Sequence, residues 1–260
     1  MRNCVRFLLW SGLAMACLAQ SEKKHLLFIG QGVGYAHDSV SHAMYTMAKI
    51  GQESGRFDVM FRTDVELLTK KKLDGNRKNL DYFHAVMFYT TGELPISDQQ
   101  KQDLLAFVRE GKGFAGVHSA TDTFYKWPEY AELIGGWFNG HPWTQPVKIT
   151  VADPANPLVA HLAPSFDLRD EIYQFKNFAE GRVRVLLKLD TSSVDMKARG
   201  INPGATEFPL VWVHPYGNGR VFYSALGHFD EVWDMPGIRG MLLEGMLWIT
   251  GQREAPAAPR

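Results

Sequence analysis

The sequence predicts one α/β domain, a three-layer sandwich with a mostly parallel central sheet and helices on both faces. Short apolar runs alternate with helix-like segments in the first half of the chain, as in repeated β-α-β units. A length of 260 residues and a hydrophobic content of 45% suit one globular domain of this class. We expect the domain to span residues 24–252 and to be followed by a frayed tail at 253–260.

The first half of the chain supplies the predicted parallel strands and the helices between them. Helix-like spacing of apolar residues covers Val40–Ser54, and Ser97 is a predicted N-cap for a helix that continues to Val108. Four short and nearly continuous apolar segments are predicted strands: 25–30, 57–61, 84–89 and 114–117.

The second half is richer in predicted strands and less regular. The turn at 215–219 contains proline, asparagine and two glycines, and it predicts a hairpin. An amphipathic helix over 238–249 closes the domain. Four segments are predicted strands, the last two being the arms of the hairpin: 147–151, 183–189, 210–214 and 220–225.

The amino terminus has the pattern of a secretory signal peptide over residues 1–20. Arg2 and Arg6 precede an apolar run at 7–19 that contains small residues near its end. The run is too short to span a membrane. We therefore expect an exported protein, periplasmic or extracellular. Lipid anchoring at Cys17 is an alternative that the local spacing disfavours.

Composition excludes several classes of function. Removal of residues 1–20 would remove Cys4 and Cys17, and the sequence has only two cysteines, so thiol catalysis and cysteine-bound metals are excluded from the mature chain. Lys+Arg and Asp+Glu are equal at 28 each, whereas nucleic-acid binders usually show a basic face. The glycine-rich stretch 30–34 lacks the G-x-G-x-x-G spacing of a dinucleotide site.

Four histidines lie at predicted strand ends or in glycine-rich loops: His37, His118, His141 and His228. Ligands of open parallel sheets bind outside the carboxyl ends of the strands. Imidazole is both a general acid or base near neutral pH and a common metal ligand. We therefore expect these four side chains to share one site, together with Thr91 and Glu93 at the end of another strand.

The segment 113–123 has the strand–turn–helix pattern of a nucleophile elbow. The elbow position is occupied by His118, and Ser119 comes one residue too late, which disfavours a serine hydrolase. Asp122 is expected in the first turn of a following helix, facing the same pocket. Tyr125 and Trp127 belong to a group of aromatic residues that suits either sugar binding or core packing.

A carboxylate is also expected near this pocket. The pair Asp170–Glu171 would serve acid–base chemistry or metal binding, or would be a solvated loop charge. No second carboxylate that would complete a glycosidase pair is apparent.

Together these segments resemble the ThuA-like (trehalose utilisation) family, whose fold is flavodoxin-like and similar to that of class I glutamine amidotransferases. The amidotransferase thiol is replaced by His118 here, so glutamine hydrolysis through a thioester is not implied. The resemblance extends from about residue 28 to 251 and is carried by eight segments: 37–39, 90–93, 113–123, 127–130, 140–142, 170–173, 219–223 and 225–228.

The resemblance implies a role in sugar catabolism, on disaccharides or their keto derivatives, in pathways that also contain a sugar dehydrogenase. Our leading hypothesis is an exported enzyme that uses histidine acid–base chemistry for isomerisation, elimination or hydrolysis, with His118, His228 and Glu171 catalytic. The alternative is a non-catalytic carbohydrate-binding module. Expected substrate-binding residues are His37, Thr91, Glu93, Asp122, Tyr125, Trp127, His141 and Asp170.

Metal dependence is an open alternative at this stage. Imidazoles with a carboxylate would hold Zn²⁺, Mn²⁺ or Fe, although no tight H-x-x-x-H spacing occurs among these residues. The candidate ligands are His37, His118, His141 and His228.

Overall fold

The computed structural model describes residues 22–75 and 77–260, so the predicted signal peptide and Cys17 lie outside the described residues. Each strand predicted from the sequence overlaps an observed one. The strands are β1 (Lys24–Gly32), β2 (Phe57–Arg62), β3 (Ala85–Thr91), β4 (Gly113–Val117), β5 (Trp137–Phe138), β6 (Trp143–Val151), β7 (Ser165–Ile172), β8 (Phe175–Lys176), β9 (Arg184–Leu189), β10 (Pro209–Tyr216) and β11 (Gly219–Ser224). The α-helices are α1 (Val40–Ser54), α2 (Asp98–Arg109), α3 (Pro128–Ile134), α4 (Asp230–Asp234) and α5 (Pro236–Ile249).

Nine of the strands in the described residues form a single mixed sheet in the order β2-β1-β3-β4-β11-β10-β9-β6-β7. Pairing is parallel from β2 to β11 and antiparallel from β11 to β7. Strands β5 and β8 form a separate antiparallel pair. The predicted α/β class is confirmed, with its parallel strands in the first half of the sheet order.

The sheet is covered on both faces. Gly113 and Gly116 of β4 lie on opposite faces, because side-chain positions alternate along a strand. Helix α5 packs closely on the face at Gly113, where an added Cβ would collide with Ile249. Helix α3 packs on the face at Gly116, where an added Cβ would lie 2.8 Å from Ile134. Helices α1 and α4 pack with α5. None of the helices in the described part of the chain is long and apolar enough to cross a membrane.

Local sequence explains where α2 begins. The hydroxyl of Ser97 accepts the backbone N–H of Gln100 at 3.2 Å, and the Gln100 side chain accepts the N–H of Ser97 at 3.1 Å. This reciprocal capping box satisfies two N–H groups that have no partner within the helix. The predicted N-cap is therefore confirmed.

The structure excludes one local alternative and corrects one local prediction. Asp170 and Glu171 lie inside strand β7 rather than in a loop. The inward positions of β7 are Leu168, Asp170 and Ile172, so a charge interrupts the apolar alternation that would indicate a strand. After β4 the chain forms a one-turn 3₁₀ helix over His118–Thr121, and Asp122 follows that turn instead of starting an α-helix.

The carboxyl-terminal residues 253–260 have no regular secondary structure, and several of their groups contact the domain. The side chain of Asn156 donates to the carbonyl of Pro256 at 2.9 Å. Arg260 pairs with Asp153, which is fully buried and also pairs with Arg184 at 2.5 Å.

Candidate active site

The carboxyl ends of three parallel strands converge on one cavity. His37 follows β1, His118 follows β4 and His228 follows β11. The cavity has a volume of about 350 Å³, within the range of small-molecule sites. A larger one of about 480 Å³ lies against β9 and β10, but it contains no histidine. The smaller cavity is lined by Tyr35, His37, Asp122, Phe138, His141, Glu171 and Tyr173.

Four side chains form a compact cluster at this cavity: His37, His118, Glu171 and His228. One nitrogen or oxygen from each lies within 4.8 Å of all the others. The Nδ1 of His228 is 3.0 Å from Oε2 of Glu171 and 3.3 Å from Nε2 of His118. The same Glu171 oxygen is 3.7 Å from Nε2 of His118. We call these four residues the His3Glu cluster.

His118 is held rigidly beneath the cavity. Its backbone φ is +43°, an uncommon conformation for a residue with a Cβ, as in strained nucleophile elbows. Its side chain is fully buried, and Nδ1 lies 2.8 Å from the carbonyl oxygen of Ala225. Because a carbonyl can only accept, Nδ1 carries the proton, and Nε2 is the acceptor for the Tyr173 hydroxyl at 3.0 Å.

The turn that carries His228 is fixed from two sides. The buried carboxylate of Asp170 accepts the N–H of Gly227 at 2.7 Å and that of His228 at 3.0 Å. The carbonyl of Gly227 accepts from the Tyr89 hydroxyl at 3.0 Å and from the Trp233 indole at 2.9 Å. Asp170 thus positions the loop from beneath, and the structure does not place it in the cavity lining.

Burial and neighbouring charges keep the imidazoles and the carboxylate of the cluster in different protonation states. Burial, reinforced by His228, lowers the pKa of His37 to about 4. Burial, reinforced by His37, lowers the pKa of His118 well below its usual value. Burial alone would lower the pKa of His228, but the hydrogen bond and charge of Glu171 raise it overall.

The two carboxylates on β7 shift in opposite directions. Burial acts to raise the pKa of Glu171, but the hydrogen bond and charge of His228 lower it overall. Burial raises the pKa of Asp170 to about 7, although the N–H groups of Gly227 and Glu171 favour its charged form. At neutral pH the cluster therefore offers two neutral imidazoles and one ionised carboxylate.

Asp122 and His141 line the same cavity, and Tyr125 contacts it through Asp122. The Tyr125 hydroxyl donates to Asp122 at 2.7 Å and to the carbonyl of Phe138 at 3.1 Å. Burial raises the pKa of Asp122, against the effect of this hydrogen bond. The half-exposed His141 has Nδ1 at 3.7 Å from Oε1 of Glu171, outside hydrogen-bond distance.

Besides Asp170 and Tyr125, three more predicted substrate-binding residues do not line the cavity. The buried Thr91 hydroxyl donates to the carbonyl of Tyr35 at 2.6 Å and so anchors the loop after β1. Glu93 accepts the backbone N–H of Lys126 at 3.1 Å. Trp127 is buried, and its ring stacks on that of Tyr130, as the core-packing alternative had it.

Sequence reasoning did not single out Tyr35 or Tyr173 as cavity residues. Tyr173 belongs to the segment after Asp170–Glu171, where an aromatic residue directly follows the end of β7. The signal for Tyr35 was its place in a glycine-rich loop beside His37. Phe138, in the short strand β5, belongs to the group of aromatic residues after the elbow that suits either sugar binding or core packing, and it lines the cavity.

Comparisons with known proteins agree with this architecture. A ThuA-like protein from Bacteroides uniformis superimposes with a TM-score of 0.72 at 23% identity, covering 90% of this chain and 94% of that one. One from Parabacteroides merdae gives 0.68 at 20%, covering 92% and 98%. A beta-galactosidase from Bacillus circulans sp. alkalophilus gives 0.51 at 12%, covering 88% of this chain and 30% of the enzyme. At these identities the likenesses establish the fold.

The sequence itself gives the family. Among curated protein sequences none matches this chain. The model of the family described as "ThuA: Trehalose utilisation" matches residues 25–249. This range begins one residue inside β1 and ends with α5, so it covers the rest of the sheet and helices α1 to α5. The chain therefore belongs to the ThuA (trehalose utilisation) family.

Proposed function

We propose that this protein is an enzyme of sugar catabolism that acts on a disaccharide, a glycoside or a keto derivative of one, with a divalent cation held by the His3Glu cluster. The observation that carries the proposal is the convergence of four metal-binding groups beside a cavity of small-molecule size, which His37 and Glu171 line. The family description, trehalose utilisation, supports the sugar class.

The donor set fits a small divalent cation. Four ligands at the usual Zn–N and Zn–O distances of about 2.1 Å stand about 3.4 Å apart in a tetrahedron. The Glu171–His228, His118–His228 and His118–Glu171 separations of 3.0, 3.3 and 3.7 Å bracket that value. The low pKa values of His37 and His118 favour the neutral imidazoles that bind metals.

We assign His118 as a ligand rather than as the proton carrier of our leading sequence hypothesis. Its ring is fully buried and does not line the cavity. Donation of its Nδ1–H to the carbonyl of Ala225 is the usual support of a metal-binding histidine, because it fixes the ring and the tautomer. In the proposal, Glu171 and His228 complete the ligand set with His37.

The remaining cavity groups would handle the substrate and its protons. A bound cation would polarise a substrate carbonyl or lower the pKa of a water molecule. Asp122, with its raised pKa and its place in the lining, is our candidate general acid or base, and Tyr125 holds its carboxylate in place. His141 lines the same cavity and would bind sugar hydroxyls.

Turnover by the purified protein tests this proposal. Trehalose, methyl glucoside and their keto derivatives are followed by NMR, before and after chelation and after Zn²⁺ or Mn²⁺ is restored. We expect at least one keto or parent sugar to be isomerised, cleaved or dehydrated, with activity lost on chelation, regained with metal and abolished in Glu171→Gln. The matched control is His161→Ala, since His161 is exposed, hydrogen-bonds the Gly237 carbonyl at 3.0 Å and does not line the cavity.

Two outcomes of the turnover assay would contradict the proposal of a metal-dependent enzyme. Full turnover after exhaustive chelation would exclude the metal while leaving acid–base catalysis. Tight sugar binding with no conversion at any metal loading would favour the alternative, a non-catalytic carbohydrate-binding module. That alternative draws on the aromatic side chains of Tyr35, Phe138 and Tyr173 in the lining.

Export and a pathway partner complete the proposal. Export rests on the signal-peptide pattern of residues 1–20, and amino-terminal sequencing of the protein from the cytoplasmic and the extracytoplasmic fractions tests it. A mature chain that starts near residue 21 is expected, whereas retention of Met1 would contradict export. A sugar dehydrogenase is the proposed source of keto substrates, because conversion of a sugar hydroxyl to a keto group is an oxidation.

A further inference from the structure

A second cavity adjoins the first. It has a volume of about 290 Å³ and is lined by Tyr35, Asp38, Ser39, His228, Phe229, Asp230 and Glu231. Tyr35 lines both cavities. His228 of the second cavity lies 3.0 Å from Glu171 of the first. The His3Glu cluster therefore stands where the two cavities meet.

We propose that the substrate extends across both cavities with one sugar ring in each, and that Tyr35 is the aromatic wall that both rings contact. This inference rests on the proposed function and deepens it. It specifies a neutral two-ring glycoside, and it places the reacting group between the rings, beside the cluster.

The chemistry of the second cavity favours a neutral, hydroxyl-rich group. The carboxylates of Asp38, Asp230 and Glu231 accept hydrogen bonds from hydroxyls and repel anions. Neither lysine nor arginine is among the lining residues of this cavity. The guanidinium of Arg169 packs over the ring of Phe229, 3.9 Å from its centroid, and is not part of the lining. Sugar phosphates and uronates are therefore disfavoured.

Tyr35 is exposed and yet belongs to an anchored loop. Its side chain is 65% exposed. Its carbonyl accepts the Thr91 hydroxyl at 2.6 Å, and the N–H of Val33 donates to the Thr91 carbonyl at 3.0 Å. The ring meets His37 edge-on at 4.8 Å between centroids. A ring held in this way can pack against the apolar face of a sugar at a small cost in entropy.

Binding measurements on the metal-loaded protein test the inference. Titration calorimetry compares trehalose, maltose, cellobiose and lactose with glucose, galactose, their methyl glycosides and glucose 6-phosphate. We expect at least one disaccharide to bind about tenfold more tightly than every single-ring sugar, and glucose 6-phosphate to bind more weakly than glucose. Tyr35→Ala should weaken the binding of that disaccharide about tenfold, which corresponds to a loss of about 1.4 kcal/mol in binding free energy. Joint Asp230→Asn and Glu231→Gln should lower the ratio of disaccharide to monosaccharide affinity.

The matched control is Tyr45→Ala, because Tyr45 is 61% exposed on α1 and lines neither cavity. Its affinities should equal those of the wild type. Equal affinity for one-ring and two-ring sugars would overturn the two-cavity inference alone, as would unchanged binding in Tyr35→Ala. If no sugar in the panel bound, the inference and the proposed function would both be contradicted.

Discussion

Asp170→Asn is the sharpest probe of how the fold prepares the site. Asp170 is fully buried, and its two oxygens accept the N–H groups of Gly227 and His228 at 2.7 and 3.0 Å. The substitution keeps the shape of the side chain but replaces one acceptor oxygen by an NH2 group. One buried backbone N–H then faces a donor and loses its partner.

The magnitude follows from these contacts. A buried donor left without an acceptor costs about 1–3 kcal/mol, so the free energy of unfolding should fall by that amount. The loop should also release His228 from its position 3.0 Å from Glu171. Loss of a group that orients a metal ligand typically costs about 10–100-fold in metal affinity, and we expect a loss in that range.

Urea denaturation of the metal-free protein measures the first effect, and competition with a chelator of known affinity measures the second. Asp103→Asn is the control, because Asp103 is also a buried carboxylate that accepts a backbone N–H, from Lys70 at 2.8 Å, but it lies outside the cavity. It should lose stability and keep its metal affinity. If Asp170→Asn bound metal as tightly as the wild type, the positioning role assigned to Asp170 would be refuted.

Three further predictions concern the scaffold. Gly227→Ala should lower the stability of the fold by about 1–3 kcal/mol and should also lower metal affinity. The reason is that φ at this position is +126° and the new Cβ would lie 2.9 Å from the Trp233 indole nitrogen. Thermal melts check the first effect, and chelator competition checks the second. Burial raises the pKa of Asp103, but hydrogen bonds from Lys70, Gln99 and Thr69 lower it overall. The contribution of the ionised Asp103 to the free energy of unfolding should therefore be complete above the unfolded pKa of about 3.9 and be lost as pH falls through the lower folded pKa. Denaturation of the wild type and of Asp103→Asn across pH 2–6 checks this. Ser97→Ala should cost about 1 kcal/mol through loss of the α2 cap, measured by urea denaturation with unchanged metal binding.

Much of the fold was predictable because local signals agree with it. The helix over Val40–Ser54 has the bounds that its apolar spacing predicts, and the hairpin at 215–219 follows from its turn residues. Strand β7 was missed because one of its inward positions is the charged Asp170. Two of the N–H groups that Asp170 accepts come from the distant loop at Gly227 and His228, and no local pattern contains this information.

The site was predictable to the extent that the parallel strands define it. His37, His118 and His228 follow strands whose carboxyl ends share one edge, so their clustering follows from topology. The fourth member depends on the register between β6 and β7, in which Glu171 pairs with Thr144. A cross-strand register of this kind is set by long-range packing. The sequence therefore suggested four histidines with a carboxylate from either Asp170 or Glu171, whereas the compact cluster contains Glu171 and leaves out His141.

Metal analysis of the purified protein tests the central claim most directly. Elemental mass spectrometry of the wild type, Glu171→Gln, His37→Ala and the control His161→Ala gives the number of ions per chain. We expect about one Zn²⁺, Mn²⁺ or Fe ion per chain in the wild type and in the control, and a large loss in the two cluster variants. A wild type that stayed free of metal after incubation with each of these ions would contradict it, as would a Glu171→Gln variant with full metal content.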